Sequence, residues 1–180
     1  MKLTDRYDIF DPDSGKEIGF AEEQISGLVK FMRLLIAKKL LPTTIVIKES
    51  EESPPVASIQ RGAAFLRAKV TVHDSTGKEI GMFKSKLFSL GGGFTVHDTA
   101  GNQIADVSGN WKGWDFTLKD MQGKQLGVVN KQFAGALKEL FTSADNYLIK
   151  LDESVSSDPG LAALMLAAGL AIDIVYKEKE

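Results

Sequence analysis

Residues 161–172 read LAALMLAAGLAI, twelve positions without a charge or a hydrogen-bonding side chain. Asp158-Pro159 precedes the run as a helix start and Asp173 ends it. A helix of this kind has no polar face, so it must be covered on all sides. The apolar run is also shorter than the ~20 residues that a bilayer span requires. Everything before it reads as a succession of strands. A helix buried all round after a long run of strands predicts a barrel wide enough to hold it, with Leu164, Leu166 and Leu170 nearly fully buried.

The strand signal comes from an internal repeat. Tyr7-Asp8-Ile9-Phe10-Asp11, Val70-Thr71-Val72-His73-Asp74, Phe94-Thr95-Val96-His97-Asp98 and Phe116-Thr117-Leu118-Lys119-Asp120 are each followed by a glycine, at Gly15, Gly77, Gly101 and Gly123. The last three glycines are 24 and 22 residues apart, a spacing that marks one structural unit used several times. In each copy the alternation before the Asp gives a strand with one apolar face. The Asp carboxylate accepts backbone N–H groups in the turn, and the Gly takes the positive φ that closes a bulged hairpin. Ile18, Ile80, Ile104 and Leu126 begin the return strands, followed by the small residues Gly19, Gly81, Ala105 and Gly127. Small residues at one level of a closed sheet leave room for the C-terminal helix. With further strands near 43–49, 56–61 and 146–151, roughly eleven or twelve strands fit, the size of a can that holds a central helix. The predicted class is therefore mainly β with one central helix. Residues 26–41 read as a basic amphipathic helix, 131–144 as a short helix across the barrel, and 48–55 as a solvated loop.

Composition narrows the function. A chain of 180 residues fits one domain, residues 1–180, and the formal net charge of −2 implies no global attraction to nucleic acid or to anionic membranes. The chain has no cysteine, which removes disulfides, Cys-ligated zinc, thiol nucleophiles and palmitoylation. The first residues hold no apolar signal core, so a cytoplasmic protein is expected. No Ser-His-Asp arrangement, nucleotide loop or paired-acid frame emerges, so no catalytic residue, cofactor or enzyme activity is expected.

The C-terminal third also resembles a known family. Val128-Val129-Asn130-Lys131-Gln132-Phe133-Ala134-Gly135 is followed by Glu139-Leu140-Phe141-Thr142-Ser143-Ala144-Asp145-Asn146-Tyr147, and the apolar helix ends Ile172-Asp173-Ile174-Val175-Tyr176. Ile59-Gln60-Arg61-Gly62, Gly109-Asn110-Trp111 and Asp115-Phe116 fit the same pattern. This order of segments resembles the phospholipid scramblase family. The resemblance implies the Tubby C-terminal-like fold shared with LURP-one-related proteins: a closed barrel of about 12 strands enclosing a hydrophobic C-terminal α-helix at about 159–176. The family's calcium segment aligns with residues 143–154, but Ser143 replaces the first acidic ligand and Lys150 adds a positive charge. Asp145 and Asp152 are thus left in a degenerate, calcium-like segment better read as a strand, and no metal site is expected.

Lys30, Arg33, Lys38 and Lys39 lie among Leu28, Phe31, Met32, Leu35 and Ile36 without an acid nearby. They are the candidate lipid-binding residues, touching an anionic phospholipid surface. The competing reading is a helix packed on the barrel with its cations in water. His73 and His97 precede the turn Asp on the solvent side and lack a third ligand. Gly91-Gly92-Gly93 lacks the Lys-Ser/Thr of a phosphate loop and leads into a strand. Trp111 and Trp114 read as core or rim residues. Asp173 either binds something at the barrel mouth or serves a neighbouring donor. Three functions remain open: a non-enzymatic, lipid- or membrane-associated binding module, peripheral at the membrane; a soluble structural module with a protein partner; and phospholipid scrambling. No nucleic-acid partner is expected.

Overall fold

The computed structural model describes residues 5–11, 13–36, 40–63, 68–86, 92–130 and 148–176. Its strands are β1 (Arg6–Phe10), β2 (Glu17–Gln24), β3 (Thr43–Lys48), β4 (Ala57–Arg61), β5 (Lys69–Asp74), β6 (Glu79–Ser85), β7 (Gly93–His97), β8 (Gln103–Asn110), β9 (Asp115–Asp120), β10 (Gln125–Asn130) and β11 (Leu148–Leu151). Among the described residues three helices join them: α1 (Gly27–Met32), α2 (Glu153–Ser156) and α3 (Pro159–Tyr176). The strands form one antiparallel sheet in simple meander order, β1 to β11.

The hairpin repeat produces this order. Gly15, Gly77, Gly101 and Gly123 all have φ between 67° and 89°. Asp74 Oδ1 accepts from the Thr76 and Lys78 N–H groups, and Asp120 Oδ1 from those of Gln122 and Lys124. The ladder shifts register beside each turn, between Val72 and His73, between Val96 and His97, and again at Ile9/Phe10 and Gln125/Gly127. Each copy is therefore a bulged hairpin. These bonds hold the Asp11, Asp74 and Asp98 carboxyls below the ordinary carboxylate range, mainly through the side chains of Ser14, Thr76 and Asn102.

The sheet curls around α3. Gly81 of β6 gives way to Leu164, whose Cδ2 lies 2.9 Å from where a Cβ on Gly81 would be, so one small residue of the repeat makes the room expected for the helix. Gly19 and Gly127 instead abut the neighbouring strands at Lys48 and Lys150. Gly169 of α3 touches Ile149 of β11, and the Tyr7 hydroxyl of β1 donates to Asp173 Oδ2 at 2.5 Å. Both ends of the sheet thus reach the same helix. Of the expected closed barrel of about 12 strands, the described residues give 11 antiparallel strands in one sheet with a C-terminal helix, and no hydrogen bonds pair β1 with β11 among them.

The core follows from this wrapping. Phe83, Phe94, Phe116, Ile45, Ile59, Leu118, Met165 and Ile172 are fully buried. Leu164 is buried as expected, Leu170 is half-buried, and Leu166 is 44% exposed. The reason is positional. Gly169 and Asp173 lie three and seven residues beyond Leu166, on the same face of the helix. Gly169 meets β11 and Asp173 meets β1, so Leu166 points to the seam between the first and last strands.

Candidate functional site

The segment after β2 differs most from the sequence reading. Among the described residues of this segment the α-helix spans Gly27–Met32, capped by the Ser26 hydroxyl accepting from the Val29 N–H. No residue of α1 is buried. Four apolar side chains of α1 and the turn after it face solvent, with Leu28 69% exposed, Phe31 61%, Leu34 65% and Leu35 75%, while Val29 and Met32 are half-buried. The competing reading, with this face packed on the sheet, is thereby corrected. The chain from Gln24 to Lys48 contains no Asp or Glu, so the patch has no acid of its own segment beside it. Lys30 is exposed within it.

Arg33 is not part of that surface. It is 7% exposed, and its guanidinium donates to both carboxylate oxygens of Glu23, at 2.8 Å and 2.5 Å, and weakly to Thr43 Oγ1. The expectation of a lipid-touching Arg33 is corrected by this buried bidentate pair, a geometry that guanidinium and carboxylate favour. Lys38 and Lys39 lie outside the described residues, as do Asp145, the expected helix at 131–144 and Gly91.

Glu23 and Arg33 belong to a polar layer around the end of α3 that the sequence reading missed. Arg61, 3% exposed, donates to the Ile174 carbonyl at 2.9 Å and to the Leu41 carbonyl at 3.3 Å, closing the C-terminus of α3 onto the chain that follows α1. Asp173, 1% exposed, takes the Tyr7 hydroxyl. The Tyr176 hydroxyl accepts from the Gly93 N–H at 2.5 Å and contacts the Gly93 carbonyl. A Cβ on Gly92 would sit 2.8 Å from the Tyr176 ring, so Gly92-Gly93 is a seat for that tyrosine. Burial pushes the Tyr176 phenol above its ordinary pKa, outweighing the opposing bond from Gly93. One signal was available: Glu23 falls on the same strand face as buried Ala21, and a charge at an inward position requires a partner.

The other candidates are structural in their contacts. His97 bonds the Gly101 carbonyl and Thr95, and His73 lies on the same outer face of β5 as Thr71. No group of three or more metal-ligating side chains is found among the described residues. Trp114 is buried in the core with φ 48°, and half-buried Trp111 packs against the core, with Lys112 over its ring. In the calcium-like segment, residues 148–151 are β11. Asp152 caps α2 and is held below the ordinary carboxylate range, first by the Ser154 hydroxyl and further by Lys124. Finally, α3 at 18 residues is long and apolar enough to cross a membrane, longer than the apolar run alone suggested, and 56% of it is buried inside the protein.

The family model described as Scramblase matches residues 4–179. A phospholipid scramblase family protein of Schizosaccharomyces pombe is 27% identical over 79 residues, which are 42% of this chain and 21% of that protein. The chain therefore spans about a fifth of the length of that curated relative. No solved structure matches. The match along nearly the whole chain shows that this protein belongs to the scramblase family.

Proposed function

We propose that this protein is a non-enzymatic, peripheral lipid-binding member of its family that docks on anionic phospholipid surfaces through α1 and the turn after it. The observation that carries the reading is the exposure of Leu28, Phe31, Leu34 and Leu35 beside Lys30, on a segment without acids. A soluble chain that leaves such side chains in water forgoes up to about 1.5–3 kcal/mol for each one that it fails to bury. Insertion at the boundary between headgroups and acyl chains recovers part of that, and a lysine near an anionic surface adds about 1 kcal/mol. Arg33 contributes by holding the segment through Glu23, not by touching lipid. We further infer that the curled sheet acts as a closed barrel around α3, which keeps that helix in the protein rather than in the bilayer. For that reason lipid translocation is the weaker reading.

Co-sedimentation with phosphatidylserine vesicles tests the docking. The wild type is expected to bind at low salt and to release as salt rises. Phe31→Ser with Leu35→Ser is expected to remove binding, and Lys30→Gln to weaken it. A wild type that ignores these vesicles at low salt sinks the reading. A dithionite assay with fluorescent lipid checks translocation separately, and no transbilayer movement is expected.

A further inference from the structure

The end of the sheet away from α1 carries a surface complementary to it. The turns after β5 and β7 and the first turn of α3 enclose a pocket of about 390 Å³. Its apolar walls include Ile80, Ile104 and Leu161, all half-buried. The carboxylates of Asp74, Glu79 and Asp158 line it, against the cation of Lys78. Asp158 Oδ1 is taken by the Gly160 and Leu161 N–H groups, and Asp74 Oδ1 by the turn amides, so both carboxylates are fixed at the rim. Glu79 makes no ion pair among the described residues. Apolar walls under an excess of negative charge suit apolar side chains that flank a cation. The turn at α1 presents that combination, with Leu28, Phe31, Leu34 and Leu35 exposed around Lys30 on a segment without acids. The two features stand at opposite ends of α3. The pocket touches Asp158 and Leu161 at its start, whereas Arg33 reaches Thr43, Thr43 reaches Arg61, and Arg61 holds the Ile174 carbonyl at its end. A helix of 18 residues is about 27 Å long, and the Arg33–Glu23 pair fixes α1 at the far end. A chain therefore cannot fill its own pocket, but a second copy can.

We propose that a second copy of this chain seats Phe31 and its neighbouring leucines in this pocket, with Lys30 among Asp74, Glu79 and Asp158, and so withdraws the face of α1 that docks on lipid. As a regulator of membrane docking the contact rests on the reading above; as a contact between copies it stands on the pocket alone. It joins unlike surfaces at opposite ends of the molecule, so it adds copies head to tail instead of closing a symmetric pair. A few side chains in one pocket make a contact at the small end of protein interfaces, and reversible association at high protein concentration follows.

Sedimentation equilibrium of the full chain tests the contact. The average mass of the wild type is expected to rise with concentration past that of a dimer. Two variants remove the pocket. Gly160→Lys lays a cation across it from a position where a Cβ meets only Asp158 Oδ1, at 3.5 Å, and where the backbone is open to L side chains. Glu79→Lys reverses one of its charges. Each is expected to melt as the wild type does and to associate roughly tenfold or more weakly. Phe31→Ser with Leu35→Ser removes the other half of the contact. The decisive sample is a mixture, because the Gly160→Lys copy keeps its α1 and the Phe31→Ser, Leu35→Ser copy keeps its pocket. Each alone is expected to stay monomeric, and together they are expected to form a one-to-one pair that grows no further. A wild type that stays monomeric at high concentration, association untouched by both pocket variants, or a mixture that does not pair overturns the proposal. Wild-type binding to phosphatidylserine vesicles, measured in parallel, separates the two readings. Pairing in the mixture without vesicle binding upholds the contact and sinks the membrane reading, and vesicle binding without pairing does the reverse.

Discussion

Replacing Gly169 by leucine measures how closely α3 approaches the last strands. A Cβ at this position would lie 2.4 Å from Ile149 Cδ1 and 3.0 Å from its Cγ1, with Val129 Cγ2 at 3.8 Å. For alanine, only the flexible end of Ile149 has to swing, at an off-rotamer cost of about 0.5–1.5 kcal/mol. That is offset by a helix-propensity gain of about 1 kcal/mol over glycine. Gly169→Ala is therefore expected to be nearly neutral. Leucine adds a branched tip directed at Ile149 and Val129, and overpacking of this kind costs about 1–3 kcal/mol. At roughly 2–4 °C per kcal/mol for a chain of this size, the melting temperature is expected to fall by about 2–12 °C. Thermal and urea unfolding followed by circular dichroism give both values. A leucine variant within about 0.5 kcal/mol of the wild type would refute the close packing of helix on sheet.

The buried pair makes a second case. Glu23→Gln is expected to cost about 3–5 kcal/mol, because Arg33 keeps its charge in a buried site, whereas Glu23→Leu with Arg33→Met loses far less; a double-mutant cycle in urea checks the difference. Tyr176→Phe removes the acceptor of the buried Gly93 N–H and is expected to cost about 1–3 kcal/mol, with faster hydrogen exchange at that amide. Stability is also expected to depend on acid. Asp11, Asp74, Asp98 and Asp152 are held below their ordinary range in the folded protein. Their contribution is thus complete above the unfolded value of about 4 and is lost as the pH falls through the lower folded values. Melting temperatures are expected to be level from about pH 7 to 5 and to fall below about pH 4, less steeply in Asp74→Asn; an unchanged acid limb in that variant would remove Asp74 from the account.

The hairpins were legible because their causes are local. An Asp that accepts the N–H groups two and four residues on, together with a glycine at φ 81°, is complete within a few residues, as at Asp74 to Lys78. The apolar helix was legible for a similar reason, since residues 161–172 have no polar face to offer water. Its complete enclosure was not. Whether Leu166 is covered depends on how the first and last strands of the sheet approach each other, and no short-range pattern encodes a meeting between β1 and β11. Gly92-Gly93 likewise read as a link because its reason for being glycine, the ring of Tyr176, lies more than 80 residues away.

The basic segment shows a limit of another kind. Periodicity identifies that Leu28, Phe31 and Leu35 share a face, but it does not say whether the face points in or out. That direction is settled by one inward-facing acid. Glu23 occupies a buried position on β2, and a carboxylate there requires a cation at hydrogen-bonding distance. Arg33 is near enough in the chain to supply it, and once its guanidinium is inside, the leucines and phenylalanine on the same short segment are left outside. The exposed patch that supports docking on lipid is thus a consequence of satisfying Glu23. On this argument the double variant Glu23→Leu with Arg33→Met should keep the fold yet free α1 to turn its apolar face toward the sheet. Binding to phosphatidylserine vesicles is then expected to fall although Lys30, Phe31 and Leu35 are all intact. Undiminished binding by a folded double variant would show that the apolar face points outward for some other reason.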